Sequence, residues 1–254
     1  MKTPEQKAKQ IFGERAARYT TSAAHTDPQV LARVVELAGP QQEWLVLDVA
    51  TGAGHTAFAL AGHVRAVIGI DLTAEMLAES KQLGTARGIT NVKLGLADVH
   101  DLPFPSETFH LITCRRAAHH FSRIGQALRE MHRVLRAGGR LVIDDRSVPE
   151  DDFVDACMNR LDYYHDESHV REYRPSEWRQ LLEGHGFMVE ALEGYLKHRP
   201  LTAFTADVSQ ENVRKIHEML DGLTQAQRVA LNLREVDGQP HLNHWYVMVA
   251  GTKG

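Results

Sequence analysis

Cysteine is nearly absent: Cys114 and Cys157 are the only two in 254 residues. Two cysteines cannot build a disulfide framework, and such sparing use fits a reducing compartment, so a cytoplasmic protein is expected. No apolar run approaches the ~20 residues that a membrane-spanning helix needs. The polar, charged start from Met1 to Gln10 lacks the apolar core of a signal peptide. There is no internal repeat and no low-complexity tract. A basic excess is missing as well: 29 Lys plus Arg against 33 Asp plus Glu leave a formal net charge of −4, which speaks against a general phosphate-backbone binder. Histidine is plentiful, with 15 residues, and that count raises the question of a metal site or of histidine catalysis.

The apolar pattern gives the organisation. Residues 5–19 and 28–38 read as helices, the second stopped by Gly39-Pro40, with a polar segment from Thr20 to Asp27 between them. Short apolar runs of the kind buried on both faces of a sheet follow at 44–49, 66–70, 92–96 and 109–114, and another at 140–144. Helical stretches separate them. One is capped at Thr73 and reaches about Arg87. Another carries Ile124, Leu128, Met131 and Leu135 on one stripe, closed by Gly138-Gly139. Strands alternating with helices at this rhythm specify parallel βαβ units with right-handed crossovers. After Pro149 the pattern predicts helices at 152–164, 176–185 and 209–233, the last broken near Gly222. Strands are expected at 187–195 and 245–250. No linker separates the halves, so one domain is expected, with a cap (1–40), a core (41–147) and a region of lid, insertion and final strands (148–254).

Open α/β sheets place ligands outside the carboxyl ends of their strands. That rule selects Asp48 to His55, Asp71, Asp98 and Cys114 to His120. In Asp48-Val49-Ala50-Thr51-Gly52-Ala53-Gly54, two glycines let the backbone turn tightly and approach a ligand, although a Gly-x-Gly alone is also an ordinary turn. Asp71 ends the second strand, where a carboxylate can accept from a ribose diol or, more simply, favour a helix N-terminus. Asp98 ends the third, where it could accept from an adenine amine. Three acids at three successive strand ends carry more weight than any one of them.

The ordered set Val46-Leu47-Asp48…Gly52-Ala53-Gly54, Gly69-Ile70-Asp71-Leu72-Thr73…Met76-Leu77, Ala97-Asp98…Leu102-Pro103-Phe104, Phe109-His110-Leu111-Ile112 and Arg133-Val134-Leu135-Arg136-Ala137-Gly138-Gly139 resembles a class I S-adenosylmethionine-dependent methyltransferase. More narrowly, it is similar to the small-molecule group that includes the ubiquinone/menaquinone-biosynthesis C-methyltransferases, over about residues 40–145, while Ser168-His169-Val170-Arg171…Glu177-Trp178 resembles a subset of uncharacterised members more closely. The resemblance implies a Rossmann-like, seven-stranded, mostly parallel α/β sheet with helices on both faces and the last strand antiparallel. An N-terminal helical cap and a helical insertion complete the expected fold. The implied cofactor is S-adenosyl-L-methionine, released as S-adenosyl-L-homocysteine. Carried over position by position, Asp48, Ala50, Gly52 and Gly54 would line the methionine and ribose part. Asp71 would hold the ribose hydroxyls, with Leu72 flanking the adenine. Asp98 would read its amine with Val99 beside it, and Arg115 would lie at the methionine end. Tyr19 of the cap, Thr51, Met76 and Ala97 complete the expected set. One departure stands out: Ala50 occupies the place of the first glycine in the family's three-glycine loop.

Two other readings of the fold are weighed. A nicotinamide dehydrogenase would use Gly52-x-Gly54-x-x-Ala57, but Asp48 and Asp98 argue against it. A nucleic-acid methyltransferase would often carry an Asn/Asp-Pro-Pro-Tyr type element where this chain has Cys114-Arg115-Arg116-Ala117-Ala118-His119-His120. A small-molecule acceptor is therefore expected, with no nucleic acid and no membrane span; monomer and homodimer stay open. His119 and His120 are the candidate catalytic bases or acceptor-orienting residues. His165 and His169 have the i, i+4 spacing of a zinc pair, but Asp166 stands where the metalloprotease pattern needs Glu and no third ligand is evident, so no metal is expected. That stretch, with Tyr163, Tyr164 and Arg171, reads as a lid over the acceptor. His241 and His244 could approach the same pocket but read more simply as a solvated loop, and Arg115-Arg116 read as a grip on an acidic substrate group, with Arg116 equally read as an exposed charge. A protein that binds the cofactor without catalysis would carry the same three acids.

Overall fold

The computed structural model describes residues 2–254. Helix α1 (Pro4–Tyr19) opens on a capping box between Thr3 and Gln6. A short turn of helix, α2 (Ala23–Thr26), lies within the segment expected to be irregular. Helix α3 (Pro28–Ala38) starts where the Asp27 carboxylate accepts from the Gln29 and Val30 amides and ends at Gly39 in the left-handed conformation. Then come β1 (Leu45–Val49), α4 (His55–Ala61), β2 (Ala66–Asp71), α5 (Ala74–Ala86), β3 (Val92–Leu96), β4 (Phe109–Arg115), a 3-10 turn (Ala118–His120) and α6 (Ile124–Val134). The second half holds β5 (Leu135–Ser147), α7 (Asp152–His165), α8 (Pro175–Glu183), β6 (Phe187–Pro200), α9 (Leu201–Thr205), α10 (Gln210–Asp221), α11 (Gln225–Ala230), β7 (Arg234–Val236) and β8 (Gln239–Lys253).

One sheet runs in the order β3-β2-β1-β4-β5-β8-β6. The first five strands pair in parallel, and β8, last in the chain, runs antiparallel to both β5 and β6. This is the expected mostly parallel sheet with an antiparallel final strand. The short β7 pairs with β8 as an additional, unexpected strand. One core cluster joins Leu47, Ile112 and Ile143 to Leu128, Met131 and Trp178, from α6 and α8. A second packs Val46, Val67 and Leu111 against Val34, Leu37 and Leu60, from α3 and α4. Helices thus cover both faces. A third cluster, with Met158, Leu161, Phe204, Ile216 and Leu242, is the core of the helical insertion.

Several boundaries moved. The stripe helix α6 stops at Val134, not at Gly138-Gly139: a register shift in the β4–β5 pairing, from Phe109↔Leu135 to Leu111↔Arg140, absorbs residues 136–139 inside β5. Strand β6 runs past Tyr195 to Pro200, and β8 starts at Gln239, because the two pair from Phe187↔Lys253 to Pro200↔His241, with a register shift between Val189 and Ala191. His241 and His244 are therefore strand residues, and His244 is buried rather than solvated.

The loop between β1 and α4 depends on two glycines for different reasons. A Cβ at Gly52 (φ +54) would meet open space, whereas one at Gly54 (φ +87) would lie 2.4 Å from Ser80 Oγ and 2.6 Å from Phe58 Cζ. Gly52→Ala should therefore cost about 1 kcal/mol of backbone strain, and Gly54→Ala roughly 2–4 kcal/mol from strain plus overlap. Urea unfolding of the two variants checks the order.

Candidate active site

Five successive parallel strands bring their carboxyl ends to one edge, and the residues chosen by the strand-end rule meet there. A cleft of about 140 Å³ is lined by Tyr19, Asp48, Ala50, Thr51, Gly52, Asp71, Leu72, Met76, Ala97, Asp98, Val99, Arg115 and His120, among others. Of the expected cofactor set, only Gly54 stands outside this lining; it packs behind the loop on Phe58 and Ser80. Ala50 holds φ 51, a left-handed conformation that glycine adopts without strain, so the loop keeps the shape of a glycine turn despite the alanine.

Each acid does something different. Asp48 is fully buried, and its two oxygens accept from the Thr51 and Thr113 hydroxyls, both at 2.6 Å. Asp71 accepts from the Gly52 amide on one oxygen and the Thr73 amide on the other, both at 2.9 Å. Each oxygen keeps a further lone pair for a ligand hydroxyl. Burial pushes both carboxyls above the usual range. Asp98 uses Oδ1 for the His100 amide and ring Nδ1, leaving Oδ2 free of protein partners. Arg115 is fixed by Thr56 Oγ1 at 2.9 Å and the His25 carbonyl at 2.7 Å, while its buried Nη1 has no hydrogen-bond partner.

A second cavity of about 570 Å³ adjoins the first, and Phe12, Tyr19, His25, Arg116 and His120 line both. Helix α1 closes over the pair. The His55 ring donates to the Tyr19 carbonyl at 2.9 Å, Phe12 meets the His120 ring edge-on at 5.0 Å, and Arg18 pairs with Asp207. Tyr19 stands between the cavities, and burial pushes its phenol up to about 12.

His119 borders only the second cavity and His120 borders both. His119 Nδ1 lies 2.6 Å from Asp145 Oδ1. Burial holds its pKa well below the ordinary value and pushes Asp145 up to about 6, so near pH 7 the ring is neutral and donates Nδ1–H. For His120, the Ser168 hydroxyl donates to Asp166 at 2.6 Å, so Ser168 Oγ accepts from His120 Nδ1–H at 3.1 Å. The neutral His119 ring therefore presents Nε2 as its unprotonated nitrogen.

Other expectations are corrected. The Arg116 side chain is buried, not exposed, with its guanidinium 4.3 Å from the Tyr246 ring centroid. Arg171 does not reach the acceptor side; it pairs with Asp155 and Glu177. His165 ends α7, whereas His169 lies beyond it. Their rings bond the Phe204 carbonyl at 2.6 Å and Asn159 Oδ1 at 3.0 Å, respectively. Among the described residues no group of three or more His, Cys, Asp or Glu could hold a metal ion, and no helix is long and apolar enough to cross a membrane. Sequence reasoning missed Phe12 and His25. It also missed Asp145, Arg146 and the Lys197–Arg199 end of β6; only a longer β6 would have brought that end to the site.

The fold and cleft define a class: Rossmann-like α/β proteins whose strand ends carry a Gly-containing loop and an acid on each of three strands. Comparison with known proteins places the chain within it. A family model described as a methyltransferase domain matches residues 47–143. The uncharacterized methyltransferase YcgJ of Bacillus subtilis is 38% identical over 171 residues, covering 67% of this chain and 68% of that protein. Its crystal structure superposes with a TM-score of 0.83 and 31% identity, covering 88% of this chain and 97% of that one. The ubiquinone/menaquinone biosynthesis C-methyltransferase of Rubrivivax gelatinosus is 32% identical over 149 residues, covering 57% of this chain and 58% of that protein. The chain belongs to the class I S-adenosylmethionine-dependent methyltransferase family.

Burial explains much of the histidine content. His165 and His169 are held at about 4 and about 3, chiefly by desolvation, against the ordinary 6.5. Below pH 6.5 the unfolded chain takes up protons that these folded residues refuse. Their contribution is thus complete above pH 6.5 and declines as pH falls through about 4 and about 3. Asp145, raised to about 6, acts with opposite sign and offsets part of this. The urea midpoint should drop between pH 7 and pH ~4.5, and His169→Gln should flatten that dependence.

Proposed function

We propose that this chain binds S-adenosyl-L-methionine in the smaller cleft and transfers its methyl group to a small-molecule acceptor in the larger cavity, all 254 residues serving as one methyltransferase domain. The carrying observation is the shared wall: two cavities meet at His120, Tyr19, Phe12, His25 and Arg116. An in-line displacement needs donor and acceptor side by side with water excluded.

The cleft's chemistry fits the cofactor group by group. Asp71, fixed by two backbone amides, offers lone pairs to a ribose diol. Asp98 Oδ2 suits an exocyclic amine, with Leu72 and Val99 beside the base. The buried Arg115 Nη1, 4.0 Å from Asp144 Oδ2 and without a hydrogen-bond partner, suits the methionine carboxylate. When bound, S-adenosyl-L-methionine supplies an electrophilic methyl on an excellent leaving group and departs as S-adenosyl-L-homocysteine. The protein's own task is then to orient the acceptor and receive its proton. His120 Nε2 is the group for that proton, because Ser168 and Asp166 fix Nδ1–H as a donor and the ring borders both cavities. His119, locked to Asp145, orients the acceptor from the larger cavity's wall.

Calorimetry with S-adenosyl-L-homocysteine should give saturable binding, weakened roughly ten- to a hundredfold in Asp71→Ala. With an acceptor found by screening a metabolite extract, His120→Ala should lower turnover roughly a hundredfold while leaving cofactor affinity intact. Undetectable cofactor binding refutes the proposal. Binding without transfer to any extract component leaves a cofactor-binding protein instead.

A further inference from the structure

The larger cavity carries more positive charge than its own carboxylates answer. Six cationic side chains line it: Arg15, Arg18, Arg116, Arg146, Lys197 and Arg199. Four have acidic partners. Lys197 bonds Asp27 at 2.8 Å and Arg18 bonds Asp207. Arg146 lies between Asp162 and Glu172, and Arg116 Nε is 3.7 Å from Asp144. The carboxylates on the wall are likewise engaged. Asp27, Asp162 and Asp207 hold these partners, and Asp166 accepts from Ser168.

Arg15 and Arg199 are left over: among the described residues neither forms an ion pair. Arg15 Nη2 donates to the Asp207 carbonyl at 2.6 Å. Arg199 Nη2 donates to the Ala203 carbonyl at 3.3 Å, and its guanidinium stands 5.9 Å from the Phe204 ring centroid. Burial first, then the neighbouring Arg146, pulls the Arg199 pKa down, yet a guanidinium stays charged at neutral pH. A half-buried guanidinium with no carboxylate bonded to it keeps N–H donors for a ligand, and a bound oxyanion engages them in charge-assisted hydrogen bonds. Both residues border only the larger cavity, whereas His120 borders both.

We infer that Arg199, assisted by Arg15, binds an oxyanion, a carboxylate or a phosphate, carried by the methyl acceptor at the end away from the atom that is methylated. This rests on reading the larger cavity as the acceptor site. The acceptor class is thus a small organic acid or phosphate ester whose nucleophilic end reaches His120.

Calorimetry on the full chain tests the inference and the reading beneath it separately. S-adenosyl-L-homocysteine is titrated first; its failure to bind removes the methyltransferase reading and leaves the anion measurement standing. Inorganic phosphate and benzoate follow, with benzamide as the neutral counterpart of benzoate. Phosphate or benzoate should bind the wild-type chain, and benzamide roughly tenfold or more weaker than benzoate. Arg199→Gln should weaken the anion about tenfold, Arg199→Lys by less, and S-adenosyl-L-homocysteine should bind both variants as it binds the wild type. Arg15→Gln, checked for folding by its urea midpoint, serves where Arg199→Gln does not fold, and should also weaken the anion. The inference is overturned if neither anion binds at up to about 50 mM. It is equally overturned if benzamide matches benzoate, or if the folded glutamine variants keep wild-type affinity for phosphate.

Discussion

The site hangs on one buried carboxylate. Asp48 ends β1 in the centre of the sheet, and the hydroxyls of Thr51 and Thr113 saturate its two oxygens. Thr51 begins the turn that leads to Gly52, and Thr113 sits on β4, whose end carries Arg115 and then the two histidines. A charge in that position is tolerable only while both hydroxyls stay in place. The glycine turn and the β4 terminus are thereby held in fixed relation. Asp71 extends the arrangement sideways by holding the Gly52 amide from β2. Through the side chains of Asp48, Thr51, Thr113 and Asp71 the ends of three strands are tied into a single rim.

Above that rim the chemistry changes character. The cleft is built largely from backbone and short side chains of the sheet edge, whereas the larger cavity is walled by long cations, acids and rings from the cap and the insertion. Four of the six cations there are paired with acids, and burial keeps His119 and His169 neutral. A wall assembled this way is specific for polar ligands, since any group that enters must replace hydration with a matching partner.

The three strand-end acids were legible in the sequence because a parallel sheet fixes where its ligands bind, whatever lies between the strands. The alternation of apolar runs and helical stripes was enough to place Asp48, Asp71 and Asp98 at one edge. His120 was legible for the same reason. The larger cavity was not. Its walls combine α1, β5, α7 and the far end of β6, and the length of β6 is decided by its pairing with β8, a partner some forty residues away with no local signature. Arg199 lies beyond the stretch the apolar pattern marks as a strand, and which cation lacks a counterion depends on distances that no spacing rule supplies. Gly54, expected in the cofactor set, stands outside the cleft lining for a related reason. Glycine in a loop marks close approach, but here what approaches is Phe58 and Ser80 rather than a ligand.

Helix α1 buries a single side chain fully, Ala16, and is otherwise held by ring edges, the His55 bond to the Tyr19 carbonyl and ion pairs such as Arg18–Asp207. An element so short of buried apolar surface detaches at a fraction of the free energy needed to unfold the sheet. Because Phe12 and Tyr19 line both cavities, α1 is a wall common to the two, and displacing it would open both at once.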